Sequence, residues 1–446
     1  MKLGIVGGGW AGLSAAVRAV QDGHAVTLFE SARTPGGRAR AVPVTLPDGR
    51  QLTLDNGQHI LIGAYRNTLR LMRLVGVAPE QALLRLPLAL TFPDGTGLSL
   101  PDGPAPLDAL AGILRARGWS WGDRLALLRT ALGWQLRGFA CAPETSVAEL
   151  CAPLTPRLRD EFIEPLCVSA LNTPLREASG QVFLRVLRDA LFSERGGSNL
   201  LLPRADLGAL FPQAATDWLQ GHGARVLMGH RVQTLRPLAS GWQLDGEPFD
   251  RVILATPATE AARLATDAAR QAPAPWADAL TTWAGHAAAL RFEAITTVYA
   301  LARHPDPQAT GAPRLARPML ALRPGAVQPA QFVFDRGQLV GPEQDGLLAF
   351  VISASTGDRE TLQAQVAAQA RAQLGLRVEP LQTIVEKRAT FACTPGLLRP
   401  ATVMAPGLHA AGDHVAGPYP ATLEGAVRSG WDAAGAIAHT TSPSTM

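Results

Sequence analysis

Lysine is almost missing from this chain of 446 residues: Lys2 and Lys387 are the whole supply, and arginine provides the rest of the 41 basic side chains. Chemistry that needs a lysine between those two positions is excluded. Tyrosine is nearly as scarce, at Tyr65, Tyr299 and Tyr419. The charge excess is +4, too small and too scattered for a nucleic-acid partner. The four cysteines, Cys141, Cys151, Cys167 and Cys393, form no C-x-x-C pair and have no histidine at metal spacing. Free thiols in a reducing compartment follow, with no metal site. No apolar run approaches the ~18 residues of a membrane span. The first strand starts at residue 2, which leaves no room for a signal peptide. These absences describe a cytoplasmic globular protein, with attachment to the inner face of the cytoplasmic membrane left open. Its length suggests two or three domains.

What is present begins at once. The apolar run Lys2–Val6 leads into Gly7-Gly8-Gly9-Trp10-Ala11-Gly12, which fits G-x-G-x-x-G at Gly7, Gly9 and Gly12. One glycine makes the strand-to-helix turn, one admits a pyrophosphate to the backbone, and one lets helix and strand pack closely. A helix from Ala11 to about Asp22 would offer its free N–H groups and dipole to that anion. A second strand, His24 to Phe29, ends in Glu30, placed to accept hydrogen bonds from ribose hydroxyls. The order strand, glycines, helix, strand, acid predicts a Rossmann-like dinucleotide site, but does not separate NAD from FAD.

The segments that follow resemble the amine oxidase and phytoene desaturase superfamily of FAD enzymes. Gly36-Gly37-Arg38 is similar to its second glycine motif, where backbone and arginine contact the diphosphate. Gly407 to Asp413, followed by Gly417 to Ala426, is similar to its C-terminal flavin signature. That resemblance implies that Gly412 and Asp413 meet the diphosphate–ribityl region, and that Thr422 and Leu423 open a helix facing the flavin pyrimidine. A helix N-terminus suits the negative charge of reduced flavin. Gly223 to Val232 reads as a strand, a turn and a second strand, with Phe249 to Pro257 as a further buried strand. The same resemblance gives the backbone of Val232 to the adenine. The implied fold is α/β: a discontinuous FAD-binding domain of glutathione-reductase-like type (1–62, 198–260, 386–446) and an interleaved α+β substrate domain (63–197, 261–385).

Pro93-Asp94-Gly95, Pro101 to Pro104 and Pro305 to Pro313 punctuate the insertions, and the tail Thr440–Met446 is expected to be disordered. The first insertion is read as mainly helical: Leu107, Leu110, Ile113 and Leu114 share one face, as do Leu125, Leu128 and Leu132. Arg115, Arg117, Trp119, Trp121, Arg124, Trp134 and Arg137 lie among them. A membrane-surface patch and ordinary core packing with solvated arginines both fit that pattern. In the second insertion, Gln331–Phe334 and Gly346–Ile352 read as strands flooring a substrate cavity. With no second G-x-G-x-x-G, no built-in nicotinamide domain is expected, so electrons must be exchanged with an external partner.

Within the superfamily, amine oxidation wants a lysine beside flavin N5 and facing aromatics, which this composition does not supply. Four strings resemble the hydroxysqualene dehydroxylases, squalene-associated FAD enzymes: Leu54 to Tyr65, Phe162 to Pro174, Gln181 to Asp189, and Leu201 to Leu207. That resemblance implies reductive removal of the hydroxyl of hydroxysqualene to give squalene and water, in hopanoid biosynthesis. The hydroxyl is allylic, so its loss leaves a delocalised cation that a hydride can quench, and a general acid must protonate the departing oxygen. The candidates are His59, His414 and Tyr419, with Asp55 as an orienting group and Gln58-His59 beside the flavin. The sparse charge of the insertions suits a long apolar pocket. A carotenoid-type desaturase or isomerase is the nearest alternative, and a flavin holder without turnover the most distant.

Overall fold

The computed structural model describes residues 1–46, 49–192, 194–304 and 311–439. The punctuation from Pro305 to Thr310 and the tail Thr440–Met446 lie outside the described residues. Five parallel strands and one antiparallel edge strand form the nucleotide-type sheet, in the order Arg225–Met228, Ala25–Glu30, Lys2–Val6, Arg251–Leu254, Leu408–Ala410, Val403–Ala405. The architecture is the expected α/β, Rossmann-like one. Its strands are apolar on both faces because both faces are covered. On one side the helix Trp10–Gln21 packs on the C-terminal helix Leu423–His439, so closely that a Cβ on Gly430 would sit 1.9 Å from the Ala11 carbonyl oxygen. On the other, a three-stranded meander (Leu235–Pro237, Trp242–Leu244, Glu247–Phe249) presses Leu244 and Phe249 onto Gly4.

The second strand expected before Val232 begins only at Leu235. Residues 229–234 are irregular because their polar groups are drawn elsewhere: the Gly229 and His230 amides donate to the Ala32 and Glu30 carbonyls, and the Gln233 and Thr234 amides to the Asp245 carboxylate.

A five-stranded antiparallel sheet carries the second unit, in the order Met319–Ala321, Phe332–Asp335, Leu347–Ser353, Phe292–Arg303, Arg377–Phe391. Strand alternation splits its side chains. Leu348, Phe350 and Ile352 pack under the helix Arg359–Leu374, while Phe332, Phe334, Val351 and Ser353 face a large cavity. Arg377–Phe391 runs through residue 386 without a break, and the helix Ala258–Ala269 runs through 260, so the division argued from the sequence falls inside two elements.

The first insertion is mainly helical, with short strands at Leu83–Leu86, Ala89–Thr91 and Gly97–Ser99, and its tryptophans divide. Trp119 is buried edge-on against Phe162, and Trp134 is buried in the same core. Trp121 stands exposed at the start of the helix Trp121–Leu136, above a capping box in which Ser120 and Asp123 satisfy each other's amides.

Candidate active site

The glycine turn is built as the sequence implies. Gly7 has φ +111°, where a Cβ would lie 2.4 Å from the Ala255 carbonyl oxygen, and a Cβ on Gly12 would lie 1.8 Å from that of Gly7. Gly9 stands at the N-terminus of the helix Trp10–Gln21 with no side-chain cap and no acid in the first turn. The free N–H groups around Trp10 and Ala11 therefore open toward the cavity and suit a phosphate. Gly37, at φ +62°, backs onto Gly9, with its would-be Cβ 3.2 Å from Gly9 Cα. The Trp10 indole N–H donates to the Ala39 carbonyl at 2.9 Å, tying helix to loop.

Glu30 is buried and already partly engaged: one carboxylate oxygen accepts the Gly8 amide at 2.6 Å, the other the Ala32 amide at 2.6 Å. A carboxylate has about four lone-pair sites, so capacity remains for ribose hydroxyls. Arg38 and Asp413, both expected at the diphosphate, are paired with each other, and Arg38 also donates to the Ala389 carbonyl at 2.7 Å. Burial alone would raise Asp413, but Arg38 and then His414 beside it hold the carboxyl well below its usual range. This ion pair clips the second glycine loop to the C-terminal motif. The His414 ring lies against Gly412, and its buried Nε2 lacks a hydrogen-bond partner among the described residues, as expected of a group that meets a bound molecule.

Val232, Thr422 and Leu423 join these residues around one cavity of about 1050 Å³. That volume is at the top of the range for cofactor sites. The glycine cradle, the uncapped helix and the unpartnered His414 nitrogen together fit a dinucleotide with an extended flavin. Valine at Gly37 would push a branched side chain against Gly9 from a left-handed backbone. The Gly37→Val protein is expected to remain folded by circular dichroism yet lack the yellow absorbance after reconstitution.

Beneath the cavity lies a buried network that joins Asp55 and Gln58, both singled out from the sequence, to Arg336 and Gln344, which were not. Asp55 accepts the Leu207 amide at 2.7 Å and the Arg336 guanidinium at 3.2 Å; Arg336 also donates to Gln58 Oε1 at 2.9 Å and Gln344 Oε1 at 2.9 Å. Burial pushes the Asp55 carboxyl up to about 6, against the pull of Arg336 and the Leu207 amide. Gln58 lines the cavity and is thus set from below. His59 donates Nδ1–H to the Gly57 carbonyl at 2.8 Å, and burial lowers its pKa, so the ring is neutral at neutral pH.

The segments 162–174 and 181–189 also contribute partly buried contacts near the cavity. Asn172 ends the helix Glu164–Leu171 in a left-handed turn, donating to Thr390 Oγ1 at 2.9 Å and accepting the Ala354 amide at 2.7 Å. Asp189 accepts the Tyr419 hydroxyl at 3.0 Å.

A second cavity, about 200 Å³ and almost wholly apolar, adjoins the first. Ile60, Tyr65, Ser169, Ala170, Phe332 and Thr422 line both. His59 and His414 line only the larger and Tyr419 only the smaller. Tyr65 is therefore the titratable side chain common to the two. Its position is fixed by Glu424, whose carboxylate accepts the Asn67 and Thr68 amides at 3.0 and 2.9 Å at the start of the helix Arg66–Leu74. Burial, and then the Glu424 carboxylate nearby, hold the Tyr65 hydroxyl well above its ordinary value, against the opposing pull of a hydrogen bond with Thr422. On the strand Arg377–Phe391, Glu386 and Arg388 line the larger cavity, while Lys387 between them is exposed and points away. Lys2 pairs with Glu247 at the far end of the sheet. No lysine reaches either cavity.

The family described as flavin containing amine oxidoreductase matches residues 10–438. The chain is 28% identical over 454 residues to hydroxysqualene dehydroxylase of Rhodopseudomonas palustris, covering 96% of each, and 26% identical to that of Zymomonas mobilis, covering 96% and 97%. Zeta-carotene desaturase of Capsicum annuum is 37% identical over 76 residues, which is 17% of this chain and 12% of that one. Among solved structures, an oxidoreductase from Methanosarcina mazei superposes with a TM-score of 0.70 at 16% identity, covering 97% and 99%. Reduced UDP-galactopyranose mutase gives 0.68 at 15%, covering 99% and 96%. At those identities the structural likeness speaks for the fold.

Proposed function

This chain belongs to the family of flavin containing amine oxidoreductases, and on that premise we propose that it is an FAD enzyme removing the hydroxyl of hydroxysqualene to give squalene. The observation that carries the reading is the apolar cavity opening onto the flavin cavity across six shared residues, with no lysine at the junction. Full-length similarity to hydroxysqualene dehydroxylases supports it, whereas similarity to a carotenoid enzyme is confined to a short stretch.

FAD would be held by Gly7, Gly9, Trp10, Ala11 and Gly12 at the diphosphate, Glu30 at the ribose, Val232 at the adenine, and Gly37, Arg38, Gln58, His59, Gly412, Asp413, Thr422 and Leu423 along the rest. Reduced FAD supplies a hydride. In the balance of the reaction the C–O bond breaks, the departing oxygen gains a proton and leaves as water, and the allylic carbon gains the hydride. The apolar walls (Leu88, Leu90, Leu98, Ile113, Trp134) hold the hydrocarbon and exclude water that would trap a cation.

Proton delivery is assigned to Tyr65. A phenol held above its usual pKa stays protonated throughout the neutral range, so its proton is in place to be given to the departing oxygen. His59, His414 and Tyr419 stand as alternatives, each touching one cavity.

Electrons come from an external donor, and the protein works as a peripheral protein on the cytoplasmic side of the membrane. Among the described residues no helix is long and apolar enough to cross one. Anaerobic incubation of photoreduced enzyme with hydroxysqualene is expected to give squalene with matching return of the yellow absorbance. No squalene, together with oxidised enzyme acting on a polyene, would replace the proposal with a carotenoid-type reaction.

A further inference from the structure

The outer surface of the first insertion is inverted relative to an ordinary amphipathic helix pair. Helices Leu107–Arg115 and Trp121–Leu136 turn Ile113, Leu127 and Trp134 inward, where they line the apolar cavity with Ala109 and Ala131. Their outer faces are also apolar. Of eleven large hydrophobic side chains exposed among the described residues, seven stand here, 42–79% exposed: Leu107, Leu110, Leu114, Trp121, Leu125, Leu132 and Leu136. So dense a patch on a soluble surface marks an interaction site.

Charge identifies the occupant. The segment carries Arg115, Arg117, Arg124, Arg129 and Arg137, and its two acids, Asp108 and Asp123, are buried. Arg124 lies over the Trp121 ring at 4.8 Å; Arg115, Arg117, Arg129 and Arg137 have no ion-pair partner among the described residues. Leucines with a tryptophan, fringed by unpaired arginines, match an anionic phospholipid surface: side chains in the acyl layer and guanidinium groups at the phosphates. A protein partner gains nothing from continuity with a substrate cavity, whereas a bilayer that stores hydrocarbon does. At about 200 Å³ the cavity is smaller than ligand sites of roughly 300–1,000 Å³, so a long chain needs the space that separating its two roofing helices would open.

We propose that this two-helix face docks the protein on an anionic phospholipid bilayer and admits substrate laterally, between the helices, into the apolar cavity. The proposal rests on the reading that the substrate is a polyisoprenoid. Holoprotein is expected to float with phosphatidylcholine–phosphatidylglycerol vesicles, and L125E/L132E/L136E to float at least tenfold less while keeping its yellow colour. Turnover of detergent-dispersed hydroxysqualene should be unchanged in that variant, and turnover of vesicle-held substrate should fall with binding. R115E/R129E tests the charge separately and should erase the preference for anionic over neutral vesicles. Equal flotation of the leucine variant and the parent would overturn the proposal. So would a vesicle-free dimer of the parent that the same substitutions convert to monomer, since the patch would then face a second copy. Loss of flotation in the variant, with no squalene formed by either protein in detergent, would leave docking intact and remove the substrate reading instead.

Discussion

Tyr65→Phe is expected to keep the yellow cofactor and lose turnover by about 10²–10⁴-fold, the usual contribution of a positioned general acid. The ring would remain packed at the junction of the two cavities, and Glu424 would still cap the helix Arg66–Leu74 through the Asn67 and Thr68 amides. What disappears is a hydroxyl that stays protonated. The pH profile separates Tyr65 from His59. Burial raises the tyrosine, so its proton remains available across the neutral and moderately alkaline range, and the rate should show no loss there from this group. Burial lowers the histidine, so an imidazolium donor would lose activity with rising pH already below about 6.5. A flat rate between pH 6 and 8, abolished in Tyr65→Phe and retained in His59→Phe, is the expected pair of results. Retained turnover in Tyr65→Phe, measured as squalene formed per reduced flavin, would move the role to His59, His414 or Tyr419.

The parts of the site that were legible in sequence are those where backbone geometry dictates the residue type. Gly7 and Gly12 leave no room for a Cβ, and Glu30 is placed by the end of a strand, so spacing alone located them. Arg38 and Asp413 were found as separate motifs, but their pairing was not, because 375 residues separate them and no local pattern encodes the contact. Tyr65 and Arg336 have no periodic signature; each matters through buried partners contributed by other segments. The helices of the first insertion show a different limit. Their leucine spacing was readable, but a helix apolar on two faces does not reveal which face the core takes, and Trp119 and Trp121, two residues apart, end on opposite sides of that choice.

Arg336→Met should be the most destabilising of the substitutions considered, by about 3–5 kcal/mol, the usual cost of removing one partner from a buried ion pair. Arg336 and Asp55 are each 1% exposed, and methionine leaves the carboxylate without its cation and Gln58 Oε1 and Gln344 Oε1 without their donor. The sign of the pH dependence follows from Asp55. Its folded pKa, about 6, lies above the unfolded value near 3.9, so the folded state binds the extra proton and stability rises as pH falls through 6. Without Arg336 that pKa moves higher still. The penalty should therefore be full at pH 8, shrink as the variant's carboxyl takes up its proton, and be smallest below pH 6, where a neutral Asp55 needs no counter-charge. Urea unfolding at pH 5 and pH 8 checks this, and adding Asp55→Asn should recover part of the loss at pH 8 by removing the stranded charge. Because Gln58 borders the flavin cavity, the single variant should also bind FAD more weakly at pH 8 than at pH 5. A loss of stability equal at the two pH values would overturn this account, because it would mean that Arg336 does not shift the titration of Asp55 between pH 5 and pH 8.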